Sequence, residues 1–150
     1  MIINTLPLNK DHWSTDWISI SYSKFINDRV KKKSFTFLWE KDYKVLALCR
    51  VIYFSPKRIE ISDLWLNPEC RGKHREGVKL STLFLKKVIR KIWSLFPKAT
   101  KIGLIVDNQN FPAIKLYKSL NFCPSKRFPK GSEKYFNFHG IYMTRKKRGT

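Results

Sequence analysis

Residues 108–122, NQNFPAIKLYKSLNF, restrict the possible folds of the chain more than any other stretch of the sequence. Apolar positions at three- and four-residue spacing predict one buried helical stripe, formed by Ala113, Leu116, Tyr117 and Leu120. Pro112 suits the first turn of a helix, where the N–H that it lacks would have no partner. Asn121 stands where a left-handed residue commonly ends a helix, and asparagine tolerates that conformation. The stretch therefore predicts a helix with a defined start and end.

A second stretch, residues 68–80, PECRGKHREGVKL, places a basic loop between a strand and a helix. Free backbone N–H groups at a helix start bind phosphate, together with the helix dipole. Gly72 and Gly77 allow positive φ or close backbone approach. The basic side chains of the loop are Arg71, Lys73 and Arg75. These residues alone leave two interpretations open, a phosphate-binding loop or a solvated basic loop.

Hydrophobic periodicity predicts the elements of the first half of the chain. Residues 1–8 predict a first strand, and residues 11–33 predict one or two helical pieces with Asp11 or Ser14 as N-cap. Residues 34–54 predict a hairpin whose halves meet around EKDY. RIEISDLWLN, ended by Pro68, predicts another strand.

The second half alternates helices and strands. Residues 77–97 predict an amphipathic helix of about 20 residues, which Pro97 ends. KIGLIV, residues 101–106, predicts a strand covered on both faces. Residues 133–144 predict a last strand, followed by a basic tail at 145–150. The order β–α–ββ–β–α–β–α–β predicts a mixed α/β sheet in one domain, residues 1–150.

Several protein classes are excluded by composition. No run of about 18 uncharged apolar residues exists, so we expect no membrane-spanning helix. The first residues lack a basic segment followed by an apolar run, so we expect an intracellular, cytoplasmic protein. The single cysteines Cys49, Cys70 and Cys123 have neither metal-ligand spacing nor disulfide density, so no metal site is expected.

The formal charge of +20 is unevenly distributed. Residues 1–66 hold 11 Lys/Arg and 7 Asp/Glu, whereas residues 67–150 hold 20 and 4. A basic field attracts phosphates and repels polycations over about 8 Å at physiological salt. The second half of the chain is therefore expected to meet an anionic partner, unless the charge serves solubility alone.

The two stretches together resemble the GNAT superfamily of acyl-CoA-dependent N-acetyltransferases. In that family a strand runs into R/Q-x-x-G-x-G/A, which caps a helix and cradles the pyrophosphate of coenzyme A, and a later strand leads into N-x-x-A-x-x-L-Y-x-x-x-G-F. The second pattern is matched here by Asn110, Ala113, Leu116, Tyr117, Asn121 and Phe122. RGKHREG departs from the first pattern by one extra residue and a missing middle glycine. The resemblance covers residues 40–145 and implies a central mixed β-sheet flanked by helices.

The resemblance also implies a reaction and its residues. An amine attacks the thioester of acetyl-CoA directly, and Tyr117 matches the position from which many members protonate the sulfur. Glu60 falls where some members carry a catalytic base. Asp63 is the other acid on that strand, and strict alternation puts the two on opposite faces unless a bulge intervenes. The strand is expected to splay from its neighbour, which frees N–H groups near Leu64 and Leu66.

The expected cofactor contacts follow from the same resemblance. His74 could assist phosphate binding or simply be solvated. The full set is Leu64, Leu66, Arg71, Gly72, Lys73, His74, Arg75, Gly77, Asn110 and Tyr117.

The acceptor stays open. The charge favours an amine on a phosphorylated small molecule or an amine carried by RNA, such as aminoacyl-tRNA, as some toxin members use. A third interpretation is that the charge carries no substrate information. A degenerate member acting as a basic RNA- or DNA-binding module is the alternative function. We expect a monomer or a homodimer.

Overall fold

A computed structural model describes residues 13–15, 18–27, 32–41, 43–75, 77–126 and 140–148. The described residues form ten strands and two α-helices. In chain order they are β1 Trp13–Thr15, β2 Ile18–Asn27, β3 Lys32–Lys41, β4 Lys44–Ser55, β5 Arg58–Leu66, β6 His74–Arg75, β7 Val78–Lys79, α1 Leu80–Leu95, β8 Lys101–Asp107, α2 Phe111–Ser119, β9 Cys123–Pro124 and β10 Gly140–Lys146.

Eight of these strands form one sheet in the order β1-β2-β3-β4-β5-β8-β10-β9. Neighbouring strands are antiparallel except β5 and β8, which pair in parallel. A parallel pair needs a crossover connection, and α1 lies in the connection between β5 and β8. The predicted mixed sheet with flanking helices is confirmed.

One face of the sheet, here called the helix face, packs against both helices. The strand register aligns Phe37, Cys49 and Leu64 on this face. Phe84 of α1 stacks on Trp39 with ring centroids 6.5 Å apart. These residues belong to one buried apolar cluster that also includes Tyr117, Leu120 and Phe122. The helices therefore lie over the middle of the sheet, next to the junction of β5 and β8.

The opposite face carries the two acids of β5 and is called here the carboxylate face. Ile52 pairs with Glu60 and Arg50 pairs with Asp63, while Ser62 is the extra residue of a β-bulge between them. A bulge shifts the alternation by one residue. Glu60 and Asp63 therefore point to the same face, and the expectation from strict alternation is corrected by the bulge.

The close approach of Tyr142 to β8 on the carboxylate face explains why residue 103 is a glycine. A Cβ atom on Gly103 would lie 2.7 Å from Cζ and 2.9 Å from Cε2 of Tyr142. The Tyr142 ring is buried, so it has little room to move aside. Glycine at this point of β8 lets the ring lie flat across the strand, close to Glu60 on the neighbouring strand.

Most elements of the second half agree with the sequence prediction. The hairpin of β3 and β4 turns where EKDY predicts, and α1 ends at Leu95, shortly before Pro97. Pro112 lies in the first turn of α2, and Asn121 adopts a φ of 67°. Neither described helix is long and apolar enough to cross a membrane.

The prediction of helical pieces in residues 11–33 is wrong. The described part of this region forms β1, β2 and the first two residues of β3, and Ser14 lies in β1 rather than at an N-cap. ISISYS also has two-residue alternation, and β2 gains a full ladder by pairing with β3. Asp11 and the first strand predicted at residues 1–8 lie outside the described residues.

Two boundaries also differ. Residues 77–79 belong to a turn and to β7, so α1 is 16 residues long and begins at Leu80. Arg145 and Lys146, expected in the basic tail, pair with Ile102 and Lys101 as the end of β10. The last strand is described from Gly140 onward, and the earlier residues 133–139 lie outside the description.

Candidate active site

The site begins where β5 and β8 separate. The two strands pair only through Ile59–Ile61 and Ile102–Leu104. Beyond that point β5 continues along β4 to Leu66, and β8 continues along β10 to Asp107. The predicted splay of β5 from its neighbour is confirmed, and it opens a gap in the sheet on the side of the helices.

Backbone N–H groups of β5 face this gap. The N–H of Asn67 donates to the carbonyl of Leu46 at 2.8 Å, so this amide points toward β4. Backbone groups alternate between the two edges of a strand, so the amides of Leu64 and Leu66 point the other way. The carbonyl of Leu66 also lies on the gap edge, where it accepts a bond from Nε of Arg71 at 3.0 Å.

A cleft of about 760 Å³ extends from the gap between α1 and α2. Six of the predicted cofactor-binding residues line it: Leu64, Leu66, Arg71, Gly72, Gly77 and Asn110. The Oδ1 atom of Asn110 accepts from the N–H of Ala113 at 3.3 Å and so caps α2 beside the cleft. The cleft therefore joins the open edge of β5 to the first turns of both helices.

The loop between β5 and α1 is a small hairpin of β6 and β7. Gly72 and Gly77 have φ of 72° and 79°, and among the described residues, chain neighbours aside, no atom lies within 4 Å of a Cβ built on either. Glycine is therefore required there by the backbone conformation rather than by crowding. The N–H of Leu80 donates to the carbonyl of Lys73 at 3.0 Å, which closes the hairpin against α1.

Four predicted contacts lie outside the lining of the cleft: Tyr117, which is buried, and three residues of the loop. Lys73, His74 and Arg75 are exposed, and none is among the residues that line it. Nδ1 of His74 lies 3.1 Å from the carbonyl oxygen of Gly72. These three residues belong to the hairpin segment of the loop or directly precede it.

The N-terminus of α1 supplies donors that the sequence analysis missed. Ser81 and Thr82 line the cleft, and amides in the first turn of a helix have no acceptor within the helix. That turn has no acidic residue, and Lys79 at the N-cap makes no side-chain capping bond. Lys115 of α2 also lines the cleft. The helix dipole and these lysines make this end of the cleft electropositive.

Tyr117 lies behind the cleft wall. It is 8% exposed and contacts Phe122 edge to face at a centroid distance of 5.8 Å. Burial, and then the neighbouring Cys49, raises the pKa of Tyr117 to about 12. Cys49 is the cross-strand partner of Leu64. The hydroxyl is therefore protonated at neutral pH and belongs to the part of the core next to the splayed edge.

The two acids of β5 are held by arginines. Oε1 of Glu60 lies 2.9 Å from Nε of Arg58, and Oδ2 of Asp63 lies 3.7 Å from Nη1 of Arg50. The side chain of Glu60 is 15% exposed and that of Asp63 is 47% exposed. Both lie outside the lining of the cleft, on the carboxylate face. Glu60 directly precedes the last residue that pairs with β8.

Tyr142 is a second titratable group close enough to Glu60 to feel its charge. Burial raises the pKa of Tyr142 to about 12, the charge of Glu60 adds to the increase, and Arg58 opposes it. In the described ranges no group of three or more His, Cys, Asp or Glu could hold a metal ion.

Comparison with known proteins identifies the family. The family model described as "Acetyltransferase (GNAT) family" matches residues 4–122, which is more than half of the chain. The chain therefore belongs to the GNAT acetyltransferase family. A search of curated protein sequences returned no significant match.

Solved structures share the fold at low sequence identity. The N-acetyltransferase PseH of Campylobacter jejuni, solved with acetyl coenzyme A, is 17% identical with a TM-score of 0.58, over 76% of this chain and 68% of that one. A Bacillus subtilis acetyltransferase in complex with CoA is 11% identical with a TM-score of 0.63, over 87% and 99%. The ribosomal-protein-S18-alanine N-acetyltransferase of Escherichia coli is 19% identical with a TM-score of 0.56, over 74% and 67%.

Proposed function

We propose that this protein transfers an acetyl group from acetyl-CoA directly to a primary amine of an acceptor. The observation that carries the proposal is the gap beyond the short β5–β8 pairing. It brings two open-edge amides, at Leu64 and Leu66, into one cleft with the electropositive N-terminus of α1. The solved relatives that hold acetyl-CoA or CoA support this choice of donor.

The cleft residues fit the two ends of acetyl-CoA. The amides of Leu64 and Leu66 would bind the acetyl carbonyl and the amide groups of the pantetheine arm. The first-turn amides of Ser81 and Thr82 would bind the pyrophosphate, as helix N-termini commonly do. Arg71, at the mouth of the cleft, would add charge on the side where the altered loop has lost a glycine.

The side chains of Tyr117 and Glu60 would transfer protons in this reaction. When bound, acetyl-CoA supplies an activated acyl group on a thiol leaving group. Tyr117, which stays protonated because of its raised pKa, would donate its proton to the sulfur as the C–S bond breaks. Glu60 would accept a proton from the amine as the new C–N bond forms. It would do so from the carboxylate face, so donor and acceptor would meet at the gap from opposite sides of the sheet.

The acceptor is proposed to be anionic. The net charge of +20 disfavours approach of polyamines and lysine-rich segments and favours phosphorylated amines. The experiment is transfer of radiolabelled acetyl groups to separate pools of amino sugar phosphates, polyamines, protein N-termini and aminoacyl-tRNA. We expect label in an anionic pool. Label confined to polyamines would contradict the anionic acceptor, and no label in any pool would contradict acetyl transfer.

Glu60→Gln should lower kcat/KM at least about tenfold, because a neutral amide cannot accept the proton of the amine. The measurement is kcat/KM for the acceptor that carries label in the pool experiment, at one fixed pH. Asp63→Asn is the matched control, since Asp63 lies on the same face and is also paired with an arginine. A loss in Asp63→Asn with full activity in Glu60→Gln would assign the base to Asp63 instead.

A further inference from the structure

A second concave site lies beside the cleft and has no part in the proposed reaction. A pocket of about 310 Å³ lies where α1, the C-terminal end of α2 and the end of β10 meet. Its cationic lining residues are Lys86, Arg90, Arg145 and Arg148, and no Asp or Glu is among the described residues that line it. We call it the arginine pocket. Lys86 and Ser119 line both this pocket and the cleft, so the two are neighbours.

The positive surface continues along the outside of α1. A shallow concavity of about 280 Å³ is lined by Lys87, Arg90, Lys91 and Ser94. Arg90 lines both this concavity and the arginine pocket, which makes one continuous surface. We call the surface formed by Lys87, Arg90, Lys91, Arg145 and Arg148 the basic track.

Like charges on the track lie close together. Burial, followed by the charge of Arg90, lowers the pKa of Lys87, and burial followed by Arg148 lowers the pKa of Arg145. Lys87 and Lys91 are also spaced four residues apart on α1, a like-charge spacing that disfavours the helix. Asp107 is the single acid in residues 77–126 and 140–148, the described ranges that supply the track.

Asp107 is remote from Arg145, because it lies at the opposite end of β8. Arg145 pairs in register with Ile102, near the start of β8, whereas Asp107 is its last residue. Five residues of extended strand span about 16 Å, beyond the Debye length at physiological salt. An external anion would reduce the repulsion between these like charges.

One arginine of the pocket is fixed before any ligand arrives. Nη1 of Arg145 donates to the carbonyl of Leu120 at 3.0 Å, at the C-terminal end of α2. This bond holds the guanidinium in the pocket beside Arg148. A cation held in place loses less conformational entropy when it binds an anion than a freely rotating surface lysine does.

We propose that the basic track binds the phosphodiester backbone of a nucleic acid, independently of acetyl transfer. A row of cations that leads into a concave pocket suits a chain of phosphates. An anionic membrane is the less suitable partner, because interfacial binding normally adds apolar side chains that insert into the bilayer. The exposed large apolar residues of the described chain are Tyr43, Trp65 and Phe111, and none of them lines the track.

The test is fluorescence anisotropy with a labelled single-stranded RNA longer than a typical site of about 16 nucleotides, and with duplex DNA in parallel. Arg90→Ala/Arg148→Ala is compared with Lys41→Ala/Lys57→Ala, which removes the same charge from two exposed turn-proximal sites elsewhere on the sheet. Titrations span about 50 to 200 mM KCl, with and without saturating CoA. Retained melting temperatures establish that each variant is folded.

We expect the double arginine variant to lose at least tenfold in RNA affinity. Its log–log salt slope should be shallower by about 1.4, at about 0.7 for each lost phosphate contact. The lysine control should stay within twofold of the wild type, and CoA should not displace RNA. The same loss on RNA and DNA indicates backbone recognition, and a loss on RNA alone adds contacts to the 2′-hydroxyl.

Three results would overturn the proposal. An equal loss of RNA affinity in the lysine control would show that the effect comes from net charge alone. Complete displacement of RNA by CoA would show that RNA binds in the cleft rather than on the track. Binding of phosphatidylglycerol vesicles that is lost in the arginine variant, with RNA binding unaffected, would make the track a membrane surface. CoA is added in a separate arm of the experiment. A failure of acetyl-CoA binding can therefore be distinguished from a failure of RNA binding.

Discussion

Tyr117→Phe should lower turnover by at least about tenfold and leave acetyl-CoA affinity unchanged. A positioned general acid contributes about 10²–10⁴-fold, and phenylalanine removes only the proton donor. The ring would keep its edge-to-face contact with Phe122, so the core should stay packed. The measurements are steady-state kcat and direct titration with acetyl-CoA.

The pH dependence of kcat provides a second test of the role of Tyr117. A pKa of about 12 means that the Tyr117 hydroxyl loses its proton only in strongly alkaline solution. Wild-type kcat should therefore show no decline from loss of this acid between about pH 7 and pH 10, where an unperturbed tyrosine would begin to ionise.

Tyr53→Phe is the control for Tyr117. Its ring also lies on the helix face, stacked on Phe96 at 4.6 Å, but it pairs with Ile59, at the opposite end of β5 from Leu64 and Leu66. It should retain wild-type turnover. Unchanged turnover in Tyr117→Phe would remove the residue from the mechanism, and a parallel loss of acetyl-CoA affinity would assign it a packing role.

Ser81→Asp should abolish most acetyl-CoA binding without weakening the fold. A carboxylate in the first turn of α1 interacts favourably with the helix dipole, so the ligand-free melting temperature should hold or rise. The same charge would repel the pyrophosphate from the first-turn amides. We expect at least a tenfold loss of affinity and a correspondingly smaller thermal shift on addition of acetyl-CoA.

Ser81→Asn is the matched control, because asparagine has the size of aspartate without its charge. Its thermal shift with acetyl-CoA should stay close to that of the wild type. A wild-type shift in Ser81→Asp would show that the pyrophosphate binds away from the start of α1, and the hairpin of β6 and β7 would then be the place to look.

The parts of the fold that the sequence predicted are those where independent signals agree. In α2 the apolar spacing, the position of Pro112 and the left-handed Asn121 all indicate the same helix. In residues 11–33 the signals conflict, because tryptophans at helical spacing overlap a serine alternation with a period of two. Local pattern cannot decide such a case, and pairing with β3 settles it.

The sequence predicted the strand residues of the candidate site better than the residues of its loop. Leu64 and Leu66 follow from the splayed strand, but a bulge at Ser62 depends on the partner strand and leaves no local sequence signal. The hairpin in RGKHREG is followed by α1 at Leu80, and Ser81 and Thr82 of its first turn line the cleft. The sequence pattern does not fix the residue at which a helix begins, so it did not single out these two residues.

Amide hydrogen exchange at Leu64 and Leu66 tests the central claim most directly. If acetyl-CoA binds along the open edge of β5, exchange at both amides should slow at least tenfold at saturation, about 1.4 kcal/mol of added protection. The amide of Asn67, already bonded to Leu46, should change little and serves as the internal reference. Unchanged exchange at Leu64 and Leu66 in the presence of saturating acetyl-CoA would contradict the assignment of this cleft.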